Sequence, residues 1–299
     1  MKLRPLILVA LGAAFCAGAP AAAATDAPVY YVSLGDSLAT GWQPIAPRCA
    51  GRPGVSGSCE TDRGYVDQLY EIAKADIPAL KIKRFGCGGA TTTTMIAGGG
   101  SCRYVHGSQL AEALHFIESR RRLGEPAPIA FITIDIEGND GFEFGCYDDF
   151  DLACLTDQMD DTLAANLATI LTRLRQAAGP DVPIVGMTYY DPFLGLWTSG
   201  LDDLAKRSVD WTVAFNDRLE AAYQAAGAAV ADVEGAFAVT AFEPLVDDPR
   251  FGQLPLNVHN TCRWVWACRT DFFDVHANDD GHGVIARAFA DVLMIDGGR

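Results

Sequence analysis

Short apolar runs alternate with longer amphipathic stretches along most of the chain. Val29–Leu34, Leu80–Phe85, Pro128–Ile136, Val182–Thr188 and Ala229–Val233 are rich in branched and aromatic residues over the length of a strand. Between them the apolar positions recur at helical spacing. Gly64–Ala75 reads as a helix, as does Gln109–Arg122, with Leu110, Leu114 and Ile117 on one face. Gln158–Ala178 places Met159, Leu163, Leu167, Ile170 and Leu174 on one stripe, and Gly179-Pro180 stops it. Asp202–Ala226 is a long helix, and Gly281–Met294 closes the chain with Val284, Ile285, Ala288, Phe289 and Val292 inward. Five strands with intervening helices predict an α/β fold, a parallel sheet covered on both faces. The segments 42–63, 86–107, 141–157 and 236–280 are left as long loops.

The N-terminus changes the compartment. Lys2 and Arg4 precede a short apolar stretch, Leu6 to Ala17, and the run Ala21-Ala22-Ala23-Ala24 offers a cleavage site. Residues 1–24 therefore read as a secretory signal and 25–299 as one exported domain. The apolar stretch is too short to span a bilayer. Cys16 follows Phe15, not the small residue a lipoprotein signal requires, so no permanent membrane anchor is expected. The formal net charge of −15 gives no electrostatic footprint for nucleic acid or anionic lipid.

Eight of the nine cysteines lie beyond the signal, and an even number in an exported chain implies disulfides. Eight allow 105 pairings. They fall into neighbouring couples, which suggests Cys49–Cys59, Cys87–Cys102, Cys146–Cys154 and Cys262–Cys268. Zinc is the alternative, but no Cys-x-x-Cys spacing is present. The acidic cluster Asp148, Asp149 and Asp151 fits no EF-hand and reads as a solvated loop, with calcium as the alternative. No metal or organic cofactor is expected.

Candidate chemistry collects after the strands. Ser37, in Gly35-Asp36-Ser37-Leu38, comes after the first strand on a tight turn, where a helix behind it would favour negative charge; a helix cap is the plainer reading. A serine nucleophile needs a base, usually histidine. His276, just before Asn278-Asp279-Asp280-Gly281 and the closing helix, stands out by position. His106 and His259 lie in loops, His115 in a helix, and His282 reads as a capping or surface group. The turn Gly86-Cys87-Gly88-Gly89 after strand two and Asn139 after strand three can offer oxyanion donors. All these segments fall on one rim of the predicted sheet. Trp264, Trp266, Phe272 and Phe273 either line a pocket beside His276 or fill core.

Four blocks carry a resemblance. Gly35-Asp36-Ser37-Leu38, Phe85 to Thr92, Ile134 to Asp140, and Asp274-Val275-His276 with Asn278 to His282 and Ile285-Ala286 resemble, in order, the blocks of the GDSL, or SGNH, hydrolase family. The cysteine-rich version looks most like exported actinobacterial members. The resemblance implies a three-layer α/β/α sandwich around a central, mainly parallel five-stranded sheet, flavodoxin-like. It implies Ser37 as nucleophile and His276 as general base. The Ser37 and Gly89 amides and the Asn139 side chain would form the oxyanion hole. The implied substrate is a small-molecule, lipid or sugar ester. Two positions depart from the pattern. The family acid three residues before the histidine is Phe273 here, leaving Asp274, Asp271 or a backbone carbonyl near Phe273 to orient the imidazole, with Asp274 preferred among the acids. Glu137 stands where the third block begins with glycine, and Gly138 is expected to restore the turn. The expected function is a secreted serine esterase or lipase. The alternatives are an acyltransferase or polysaccharide deacetylase on the same site, or a disulfide-stapled binding protein without activity.

Overall fold

The computed structural model describes residues 27–45, 60–121, 127–143, 145–147, 150–154 and 160–297. The expected signal peptide over 1–24, its cleavage site, Cys49, Cys59, Asp148 and Asp149 lie outside the described residues.

In chain order the elements are β1 (Val29–Gly35), α1 (Tyr65–Asp76), β2 (Leu80–Arg84), α2 (Thr92–Ala97), α3 (Gln109–Ser119), β3 (Ile129–Asp135), α4 (Gly138–Glu143) and the single turn α5 (Leu152–Cys154). Next are α6 (Asp160–Ala178), β4 (Ile184–Met187), a 3-10 helix at Pro192–Ser199, α7 (Asp202–Ala225), β5 (Ala229–Ala231) and α8 (Val233–Phe237). Last come β6 (Leu245–Asp248), β7 (Gly252–Pro255), α9 (Leu256–Trp264), a 3-10 turn at Trp266–Cys268 and α10 (Asp279–Leu293).

The five strands of the main sheet run in the order β2-β1-β3-β4-β5, every neighbouring pair parallel. Helices cover both faces, the three-layer α/β/α arrangement. On one face Val32, Leu34, Ile132 and Ile134 pack with Leu110, Leu114 and Ile117 of α3, Leu167, Ile170 and Leu174 of α6, and Trp211, Phe215 and Leu219 of α7. On the other, Tyr31, Phe131, Val185 and Met187 pack with Tyr65 and Leu69 of α1 and Ile285 and Phe289 of α10. Two buried faces explain why the strands read as continuous apolar runs and not as alternating ones.

The loop 236–280 is not a loop. It folds into the antiparallel hairpin β6–β7 and the helix α9. The buried side of α9 includes Asn257, Asn260 and Thr261, which bond to the backbone carbonyls of Val239, Phe237 and Asp191. A polar buried face hides helical periodicity. The structure links Cys87 to Cys102, Cys146 to Cys154 and Cys262 to Cys268. No described helix is long and apolar enough to cross a membrane. Among the described residues, no group of three or more His, Cys, Asp or Glu is arranged to hold a metal ion.

Candidate active site

The site begins where β1 ends. Gly35 has φ +147, and a Cβ there would lie 2.2 Å from the Asp135 carboxylate, so only glycine fits. The Gln109 side chain clamps this residue, accepting from the Gly35 amide at 2.8 Å and donating to its carbonyl at 2.9 Å. Asp36 turns the chain by accepting from the Leu38 amide at 2.9 Å. Ser37 emerges half-buried at the crest. Residues 37–41 form a single turn and not a helix. Thr40 N bonds Asp36 O and Trp42 N bonds Ser37 O. The serine therefore lacks the helix field that the sequence reading allowed.

His276 meets Ser37 from 239 residues away. Its Nε2 lies 2.8 Å from Ser37 Oγ, and its Nδ1 lies 2.9 Å from Asp274 Oδ1. Asp274 also accepts from the His276 amide at 2.9 Å. Asp271 is elsewhere, exposed and bound by Arg269. Phe273 stacks on Phe193. The His276 backbone is clamped on both sides: Tyr190 Oη donates to Val275 O, and Trp266 N donates to His276 O. The Trp42 ring covers the imidazole at 4.2 Å.

Asn139 opens α4 beyond β3, and its Nδ2 donates to Ala90 O at 3.0 Å and to Asp36 Oδ2 at 3.2 Å. Gly89 has φ +77, two residues past Cys87, whose amide donates to Gly35 O. Gly138 does not restore the turn before Asn139. Glu137 itself takes φ +109. Its carboxyl is fully buried and accepts from Tyr223 Oη at 3.0 Å.

Burial sets the electrostatics here. Desolvation pushes Asp36, Asp135 and Glu137 up from the usual carboxylate range, Asp135 and Glu137 well above it. Desolvation raises Asp140 to about 6, although Thr92 donates to it from both hydroxyl and amide. His282 is not a surface group. It is fully buried, its Nδ1 accepts from the Tyr65 amide, and desolvation lowers it to about 3.

A cavity of about 200 Å³ opens beside Ser37, Asn139 and His276. Its wall is aromatic, with Phe142, Tyr147, Tyr189, Phe193, Trp211 and Phe215. None of Trp264, Trp266, Phe272 or Phe273 lines it. Trp264 packs on Phe237, and Trp266 bonds Gln43. No motif in the sequence marks this wall. Tyr189 comes just after β4, on the rim where ligands bind, and Trp211 and Phe215 share a face of α7, so their positions carried a signal.

The model of the GDSL-like lipase/acylhydrolase family matches residues 33–284. The chain belongs to this family. Membership makes it a carboxylic ester hydrolase of the GDSL type. Solved structures agree on the fold. An extracellular lipase from Streptomyces rimosus is 17% identical, with a TM-score of 0.51 over 88% of this chain and 99% of that one. A catalytic mutant of an acetylxylan esterase from Geobacillus stearothermophilus is 16% identical, with a TM-score of 0.52 over 91% and 97%. An α/β hydrolase from the Lake Arreo metagenome in Spain is 18% identical, with a TM-score of 0.50 over 90% and 96%. No curated protein matches the GDSL chain in sequence.

Proposed function

We propose that the chain is a secreted serine esterase of the GDSL family, working through Ser37, His276 and Asp274. One observation carries this: the unbroken line from Asp274 Oδ1 through both imidazole nitrogens to Ser37 Oγ, with contacts of 2.9 and 2.8 Å. His276 Nε2 takes the proton of Ser37 as Oγ attacks the ester carbonyl. Asp274 holds Nδ1–H, fixing the tautomer and balancing the imidazolium that forms. The tetrahedral oxyanion is received by the Ser37 and Gly89 amides and Asn139 Nδ2. Both Asn139 N–H groups are engaged at rest, so the longer bond, to Asp36, is exchanged for the oxyanion. His276 then gives its proton to the departing alcohol. Water, activated by the same nitrogen, releases the acid from the acyl-enzyme.

The leaving oxygen must face His276 and the oxyanion must face Asn139, so the acyl group takes the remaining direction, into the cavity. There the cavity wall is aromatic, and its one carboxylate, Asp36, is buried. This favours a longer apolar acyl chain over acetyl. The extracellular lipase named above is the closer functional analogue on that ground, and the acetylxylan esterase the more distant. The three disulfides and the signal-like N-terminus support export, with residues 25–299 as the mature domain.

The test is hydrolysis of p-nitrophenyl esters from acetate to palmitate, with Ser37→Ala alongside and fluorophosphonate labelling of both. Wild type is expected to turn over and label, and Ser37→Ala to do neither while keeping its circular dichroism spectrum. Wild-type rates in the alanine variant would end the serine mechanism. Equal kcat/KM for acetate and longer acyl groups would end the apolar-acyl reading.

A further inference from the structure

We propose that Glu137 and Tyr223 form a positioning pair that aims the Asn139 amide at the oxyanion. This rests on the reading of Asn139 as an oxyanion donor given above.

Glu137 occupies a backbone conformation that costs an ordinary residue free energy, φ +109. A glycine would hold it without strain, so a side chain kept there needs a compensating bond. That bond runs to Tyr223 Oη, near the end of α7, at 3.0 Å. Tyr223 reaches the loop only because Gly186 of β4 is bare: a Cβ there would lie 2.3 Å from the Tyr223 ring. Thus the last turns of α7, the middle of β4 and the residue two before Asn139 are fitted to one another.

The opposite side of Asn139 is tied as well. Asp140 accepts from Thr92 Oγ1 at 2.6 Å and from the Thr92 amide, and its own amide donates to Glu137 O at 3.0 Å. Between the two anchors, the Tyr189 ring faces Gly138 at a distance where an added Cβ would make ordinary contact, 3.4 Å. The Gly138-Asn139 dipeptide is therefore held from both ends. The Glu137 Oε2 atom has no partner among the described residues, so Tyr223 is the carboxyl's one described side-chain tether. A core carboxyl that only filled space would be better replaced by an apolar group.

The experiment is a double-mutant cycle on p-nitrophenyl butyrate with the full exported chain. Asn139→Ala is expected to lose about 10²–10³ in kcat. Tyr223→Phe keeps the ring and removes only the hydroxyl. It is expected to lose about tenfold in kcat with KM unchanged, because misplacement on the order of 1 Å can cost ~10²-fold. In the Asn139→Ala background, Tyr223→Phe should change kcat by less than about twofold, since the group it aims is gone. Glu137→Gln, whose amide oxygen still accepts from Tyr223, should stay near wild type. Equal losses from Tyr223→Phe in both backgrounds would overturn the pair's role, as would wild-type kcat in Tyr223→Phe. Wild-type kcat in Asn139→Ala would overturn the donor reading itself, and this proposal with it.

Discussion

At the scale of single residues, the decisive substitution is in the acid. Asp274 and Asp271 were both open from the sequence, and a backbone carbonyl as well. The structure brings Asp274 to the imidazole and leaves Asp271 in an exposed pair with Arg269. Asp274→Asn should lower kcat by about 10⁴ by favouring the wrong tautomer, while Asp271→Asn should leave it unchanged. Rates measured on p-nitrophenyl butyrate decide it: an Asp274→Asn enzyme above a tenth of wild type would return the role to a carbonyl. Ser37 and His276 were legible because each sits at the boundary of an element that periodicity finds. The conformation of Glu137 was not legible, because no propensity places a carboxylate at positive φ. Only the partner, 86 residues away in α7, explains it.

At the scale of elements, the strands and the larger helices were legible in their apolar spacing, whereas α9 was lost. Its buried face is satisfied by amide and hydroxyl bonds to distant carbonyls, which leave no hydrophobic signature. This helix matters, because Cys262 lies in it and the disulfide to Cys268 brackets Trp264, Val265 and Trp266. That segment pairs with the histidine loop: Val265 bridges Ala277, and Trp266 N bonds His276 O. Replacing both cysteines by serine should cost about 2 kcal/mol through the short loop the bond closes, a fall of roughly 4–8 °C in Tm. Turnover should fall as well, because the imidazole loses its support. Differential scanning calorimetry and kcat on the same sample test both halves, and an unchanged kcat would detach the disulfide from the site.

At the scale of the molecule, buried carboxyl groups govern the response to pH. Burial raises Asp191 to about 7, despite bonds from Ser208 and the Phe193 amide. Between the ordinary carboxylate range and pH 7, the folded chain keeps a proton there that the unfolded chain gives up. Stability from this group is therefore full below about pH 4 and is lost progressively as pH rises to about 7. His282, lowered to about 3, acts oppositely: its contribution is present above about 6.5 and is lost as pH falls. Above pH 6.5 only the carboxyl effect remains, so Tm should fall a little further from pH 6.5 and level off above about pH 7.5, once Asp191 is ionised in both states. Relative to Asp191→Asn, wild type should lose about 1.4 kcal/mol per pH unit between pH 5 and 7. Denaturant melts of both proteins at several pH values provide the check, and a constant difference would refute the assignment. The α/β class was readable at this scale, because continuous apolar strands alternating with helices admit few other folds. The strand order was not, since all five strands read alike and only their crossovers arrange them.

The distance along the chain between Ser37 and His276 carries a consequence for biogenesis. The two members of the proposed reacting pair belong to opposite ends of the described chain, joined where α1 packs on α10. A ribosome-bound chain whose last helix has not emerged holds both residues, but nothing seats the His276 loop against Ser37. On the proposed serine mechanism, esterase activity starts only when the closing helix α10 has docked, which would keep an emerging chain harmless to the esters of the cell that makes it.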